Sequence, residues 1–240
     1  MLINKQKKKI DYKTYNKLYN DLCNFKDNLG ELNRSDVQIE RDVGRTFPRV
    51  DGFQQNGKGQ EMLSRVLSAF SNYDNNIGYV QGMNFIVGSL LLHCREDVTF
   101  WLFVSLIEDF QMRDIYQAKL PGLYKHMNIL EYLLEKHLPT LSDHLIDTCV
   151  RVELYASDWI FALYTNILPT SVQHLWFNEF FKKGWAFFYR FTLTFMRVLS
   201  SRIIATNEIS EIIDLIKAPM ADRSFKKARR ASVDPQSEES

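Results

Sequence analysis

Cysteine is scarce in this chain: Cys23, Cys94 and Cys149 are spread over 240 residues and are odd in number. That spacing argues against a disulfide framework or a zinc module and favours a reducing compartment. With 6 prolines and 10 glycines in a sequence that is 45% hydrophobic, disorder over most of the chain is not expected, and the length suffices to bury a sizeable core. Neither sign of charge dominates. Thirty basic side chains against 29 acidic ones leave a net charge of +1, which excludes a nucleic-acid binder that relies on a dominant positive field. The most apolar run, Phe85 to Cys94, is too short to span a bilayer, and Arg190 and Arg197 interrupt the segment that starts at Trp185. The opening MLINKQKKKI carries charge where a signal peptide needs an apolar run. These absences predict a cytoplasmic protein without a transmembrane segment.

What the chain does have is apolar residues at helical spacing. Tyr15, Leu18, Tyr19, Leu22, Phe25 and Leu29 recur at three and four, with Gly30 where a helix would stop. Met62, Leu63, Val66, Leu67, Phe70 and Tyr73 repeat the pattern, and Trp101, Leu102, Val104 and Ile107 form another face. Phe85 to Leu92 is apolar at nearly every position, which predicts a central helix. Pro121 and Pro139 are placed to open helices, and Pro169 follows one containing Trp159, Phe161 and Leu163. Thr170 with Gln173 has the spacing of a capping box, and Gly184 should end the helix it starts. The segments Trp185 to Leu199 and Asn207 to Lys217 complete the series, and no period-2 strand stands out. The expected fold class is all-α, with a break between Phe110 and Pro121.

Between Ile39 and Met83 lie two polar motifs that core packing does not call for. Ser35 and Gln38 form a capping-box pattern, so a helix is expected to begin near Asp36 and to bury Ile39 and Val43. Asp42 and Arg45 then stand three apart, a spacing at which a carboxylate holds a guanidinium in one orientation, while Gly44, Thr46, Phe47 and Pro48 bring the helix to its end. Asp42 reads as an orienting residue, not a base. In the second motif Gly78 and Gly82 bracket Tyr79, Val80 and Gln81, which displays a neutral amide at the mouth of the apolar helix. One fixed cation and one amide, with no nucleophile or metal ligands beside them in the sequence, make half of an active site. Phosphoryl transfer from GTP needs such a half: a cation for charge developing on the phosphoryl oxygens, and an amide to orient water.

The pair I-x-x-D-x-x-R-T-F-P (Ile39, Asp42, Arg45, Thr46, Phe47, Pro48) and G-Y-x-Q-G-M-N (Gly78, Tyr79, Gln81, Gly82, Met83, Asn84) resembles the signature of the TBC domain family of Rab GTPase activators. The resemblance runs over about residues 12 to 218 and implies two closely packed helical lobes, flanked by a basic segment 1–11 and a tail 219–240. It further implies that Arg45 and Gln81 are catalytic fingers supplied in trans to a GTP-bound Rab GTPase, supported by Asp42, Thr46, Tyr79 and Gly82. GTP and magnesium would be carried by the partner, with no cofactor of the chain's own, no independent hydrolase activity, no metal site and no nucleic acid. Membrane association would be peripheral and transient, at endomembranes, in the service of vesicle trafficking. YASDWIFALYTNILP, Tyr155 to Pro169, is similar to the family's third motif. In HLWFNEFFKKG the family's R-x-W-D keeps only Trp176, with His174 in place of the Arg and Phe177 in place of the Asp. The family's Arg- and Trp-containing front helix has no counterpart before Tyr12. The alternative is a catalytically silent module that binds a Rab or another trafficking protein, and the last two departures speak for it.

Two further patterns have plainer readings. Gly52, Gly57 and Lys58 match the start of a phosphate-binding loop, but Gly59 stands where Ser or Thr must bind magnesium, and no buried strand precedes it, so a flexible interhelical loop is expected. His137, Asp143, His144 and Asp147 fit a solvated helix and its turn better than a metal site. The end of the chain, MADRSFKKARRASVDPQSEES, reads as a solvated or disordered tail. Its R-R-x-S pattern predicts that a basophilic kinase modifies Ser232, adding about two negative charges to a basic cluster. Phosphopeptide mapping should find that site occupied.

Overall fold

The computed structural model describes residues 12–24 and 34–217. The expectations for the segment 1–11, for the first helix running on to Leu29 and Gly30, and for the tail with Ser232 lie outside the described residues. The described residues contain no strand, and the protein is all-α. In chain order the helices are α1 (Tyr12–Cys23), α2 (Arg34–Gly44), α3 (Lys58–Tyr73), α4 (Met83–Leu91), α5 (Glu96–Glu108), α6 (Arg113–Tyr116), α7 (Pro121–His137), α8 (Pro139–Asp147), α9 (Glu153–Ala162), α10 (Thr170–Lys183), α11 (Trp185–Ile204) and α12 (Ile209–Lys217).

Helix α3 is the hub of the first half. Its apolar stripe, Leu63, Val66, Leu67 and Phe70, is buried against α1, α2, α4 and α5. Each such side chain removed from water contributes about 1.5–3 kcal/mol, so the stripe fixes where its neighbours sit. Helix α4 is apolar apart from Asn84 and Ser89 and is buried on all sides, as suits a helix enclosed by protein. One side meets α3 and α5, and another meets α9 and α10 of the second half. The break expected between Phe110 and Pro121 holds the single turn α6, after which left-handed Leu120 passes the chain to Pro121 at the start of α7.

The second half is built around aromatic rings. Trp159 stacks on Tyr164 at 5.0 Å, and Tyr164 meets Trp176 at 5.3 Å and Phe188 at 5.1 Å. Helix α9 stops at Ala162, earlier than its apolar spacing suggests, because Leu163 and Tyr164 both turn left-handed (φ 47° and 63°). That turn swings the Tyr164 ring into the core, where its hydroxyl meets Thr192 at 2.9 Å. At the altered third motif Phe177 is buried and stacks on Phe181, while His174 is exposed 5.4 Å from His93. An apolar contact thus occupies one position of the family's charged pair.

Ser35 lies inside α2, which has already begun at Arg34. The capping box at Thr170 does not form as the spacing suggested. Thr170 is the first residue of α10, and its N-cap is Pro169, which has no N–H for Gln173 to bind. The buried Gln173 amide instead donates to the carbonyls of Thr165 (2.8 Å) and Leu168 (3.0 Å) and accepts from Ser89 of α4 (2.5 Å). A presumed local cap is therefore a link between distant parts of the chain. Gly184 does end α10, at φ 58°.

His126 of α7 is buried, stacked on Trp185 at 3.6 Å, with Nδ1 2.5 Å from the Tyr189 hydroxyl. Burial, aided by the neighbouring Lys125 charge, lowers its pKa to about 4. The unfolded chain, with an ordinary histidine pKa near ~6.5, therefore binds this proton first. The stability that neutral His126 contributes is full above about pH 6.5 and is lost progressively as the pH falls toward 4. Urea denaturation at pH 7.5 and pH 5 should show that loss, and His126→Gln should flatten it.

Candidate functional site

The two motifs meet where the end of α2 faces the start of α4. Helix α2 finishes in a tight turn, with Arg45 N–H bonded to the Asp42 carbonyl (3.3 Å) and Thr46 N–H to that of Val43 (3.1 Å). Phe47 then adopts φ 48°, and its ring packs edge-on against Phe53 and Phe85. Arg45 is thereby placed at the helix terminus with its side chain 50% exposed. Its Nε and Nη2 lie 2.9 and 2.8 Å from Asp42 Oδ1, so the guanidinium is oriented but not enclosed.

The second carboxylate oxygen of Asp42 is engaged from the other motif. Tyr79 is buried, and its hydroxyl donates to Asp42 Oδ2 at 2.5 Å. Burial, and then the hydrogen bond to Asp42, push the phenol well above its usual range, so Tyr79 stays a neutral donor. Asn84, in the first turn of α4, completes the connection. Its Oδ1 accepts the Gly82 N–H at 3.0 Å, and its Nδ2 donates to Thr46 Oγ1 at 2.8 Å. Thr46 in turn donates to the Asp42 carbonyl at 2.6 Å. A closed set of hydrogen bonds thus joins the two motifs, and every member except Arg45 is buried.

Gln81 is exposed on the turn that precedes α4. Gly82 permits that turn: its φ is 107°, and a Cβ there would stand 3.1 Å from the Phe161 Cβ and 3.2 Å from the Phe161 carbonyl oxygen. Phe161 is itself held, because its carbonyl accepts the Tyr116 hydroxyl at 2.7 Å. On the other side, the start of the loop is pinned by Asp74, which accepts the Ile77 N–H at 3.3 Å and pairs with Arg113 of α6 at 2.6 Å. The loop is therefore fixed from both halves of the fold.

Asp42, Arg45, Thr46, Tyr79 and Gly82, singled out in the sequence, all fall in this one cluster, with Gln81 at its surface. Tyr79 supports the site from within; its hydroxyl is turned away from any approaching molecule. Asn84, named only as the last residue of the second motif, and Phe161 complete the site without having been given a role in it. A lone amide at the head of an apolar helix was the signal for Asn84, since such a group must find internal partners. Nothing local marked Phe161, which belongs to a distant helix.

The near-miss phosphate loop is interhelical, between α2 and α3 as expected, and it is closed by hydrogen bonds. Gly59 N–H bonds to the Gly52 carbonyl at 2.7 Å, Gln60 reaches the Phe53 carbonyl at 3.0 Å, and the Phe53 ring is buried beneath. A Cβ at Gly57 would lie 2.4 Å from the Gly52 carbonyl oxygen, so its backbone is packed on itself with no cradle for a phosphate. His144, from the other decoy, binds the Thr206 carbonyl at 2.9 Å.

Comparison with known proteins gives a consistent picture. The family model described as Rab-GTPase-TBC domain matches residues 1–204. The Rab GTPase-activating protein eat-17 of Caenorhabditis elegans is 33% identical over 159 residues, covering 66% of this chain and 18% of the relative. The Ecotropic viral integration site 5 protein homolog of Homo sapiens is 30% identical over 167 residues, 69% of this chain and 21% of its own. The chain thus spans about a fifth of the length of these curated relatives. The crystal structure of the Chlamydomonas flagellar RabGAP TBC domain superimposes with a TM-score of 0.69 at 27% identity, over 82% of this chain and 64% of that one. The Ypt/Rab-GAP domain of Gyp1p matches at 0.69 and 20% identity, over 86% and 72%, and is a likeness of fold.

The network gives a stability prediction. Tyr79→Phe removes the donor to Asp42 Oδ2 and leaves a buried carboxylate oxygen unpaired. It should cost about 1.5–3 kcal/mol, read from urea denaturation.

Proposed function

Since the chain belongs to the Rab-GTPase-TBC domain family, we propose that it activates GTP hydrolysis by a Rab-family small GTPase, supplying Arg45 and Gln81 in trans. The observation that carries this is the pairing of a half-exposed guanidinium, held by Asp42, with an exposed amide on an adjoining fixed turn. The partner brings GTP and magnesium, and this chain brings a charge and a hydrogen-bonding group to the phosphoryl oxygens and the attacking water. Arg45 neutralises charge that grows on the transferred phosphoryl group. Gln81 orients water for in-line attack.

Preorganisation is what the fold adds. A guanidinium free to rotate would lose side-chain entropy on entering the nucleotide site, and the Asp42 contact removes part of that cost beforehand. Asp42 engages only the Nε and Nη2 edge of the guanidinium, so Nη1 lies outside that contact. Regulation of vesicle trafficking follows from such an activity, exercised in the cytoplasm and transiently at endomembranes through the Rab. No helix among the described residues is long and apolar enough to cross a membrane, which supports peripheral attachment.

Single-turnover GTP hydrolysis across a panel of GTP-loaded Rabs tests the proposal. One Rab should be accelerated, and Arg45→Ala should lower that acceleration by about 10³ to 10⁵, the worth of an arginine finger elsewhere. Gln81→Ala should lose most of it as well, with both variants folded by circular dichroism. A Rab that binds but is not accelerated would instead identify a docking module.

A further inference from the structure

We propose that Asn84 is a positioning residue for this reaction: it locks the turn carrying Gln81 to the helix end carrying Arg45, so that the two side chains are presented as one unit. The inference rests on the roles given to Arg45 and Gln81 above. Asn84 is fully buried, so it cannot meet a partner or a nucleotide and must act through its neighbours.

Those neighbours are specific. Gly82, whose N–H it accepts, directly follows Gln81, and Thr46, to which it donates, directly follows Arg45. The direction of each bond is determined. Gly82 N–H can only donate, so the atom facing it is Oδ1 and the amide cannot be flipped. Thr46 spends its proton on the Asp42 carbonyl and so receives from Nδ2. The Tyr79 hydroxyl lies 3.2 Å from the same Oδ1 but directs its proton to the closer, charged Asp42. No member can be reversed without leaving a buried group unpaired.

The alternative is a buried amide that merely satisfies itself in the core. Helix α4 is otherwise so apolar that leucine would fill that space at less cost in desolvation. The Cβ and backbone carbonyl of Phe161 close on Gly82, so the turn is packed against α9 as well as tied to this amide. Releasing that bond shifts Gln81 and leaves its chemistry intact.

The test is single-turnover hydrolysis on the Rab that responds, with Asn84→Ala, the space-filling Asn84→Leu, and Thr46→Val, which removes the link to the α2 end together with the Thr46 bond to the Asp42 carbonyl and leaves the Gly82 bond in place. The maximal rate should fall about 10- to 100-fold, with the half-saturating concentration changed by no more than about twofold. Adding Asn84→Ala to Gln81→Ala should slow the reaction by no more than about twofold further, because the turn that Asn84 holds to the Arg45 helix end then carries no functional side chain. Hydrogen exchange at the Gly82 amide should quicken in Asn84→Ala. The proposal is overturned if the loss follows the folded fraction, appears as weaker Rab binding, or multiplies in full onto Gln81→Ala. It is equally overturned if Gly82 exchange is unchanged. Should the unaltered protein accelerate no Rab, the functional reading falls and takes this one with it. If Arg45 and Gln81 prove essential while Asn84 is additive, only the present inference fails.

Discussion

The Asp42 carboxylate is the constraint on which the candidate site depends. One of its oxygens holds Arg45 and the other receives Tyr79, so a single buried anion joins a helix end to a loop more than thirty residues further along the chain. Removing an anion from water is costly unless its hydrogen-bonding capacity is met on all sides. Here that requirement couples the two motifs, since neither Arg45 nor Tyr79 alone satisfies both oxygens. The geometry that presents Arg45 and the geometry required by burial coincide at this residue.

Helix α4 transmits the constraint to the rest of the fold. Its first turn supplies Asn84 to the site, and its body packs on α3 and α5 on one side and on α9 and α10 on another. Close-packed interiors transmit displacement, so the Gln81 turn inherits its position from helices that contribute no functional group. Phe161 is the clearest instance: its Cβ and backbone carbonyl occupy the space beside a glycine whose φ of 107° suits the approach.

Much of this was legible in the sequence because the signals were local. The spacing of Leu63, Val66, Leu67 and Phe70 specified the buried face of α3, and Pro121, Pro139 and Gly184 marked helix boundaries through fixed φ or a left-handed turn. The pair Asp42 and Arg45 could be read because three residues is less than one helical turn. Where a local rule competed with a distant partner, the partner won. Gln173 left its cap for Ser89 and two carbonyls, and α9 ended early because Tyr164 had a ring cluster to join.

By itself, the sequence determined the all-α class, the helix faces and the residue types of the site, because periodicity, backbone preference and motif spacing act over a few neighbours. It also carried the family, through two motifs that stand in order with their flanking residues. Only the tertiary structure decided that Tyr79 turns inward to Asp42, that Asn84 binds the residues following both Arg45 and Gln81, and that Phe161 closes over Gly82. All but the short Asn84–Gly82 bond join positions far apart in the chain, and which buried polar groups pair is settled when the core closes and every donor must find an acceptor.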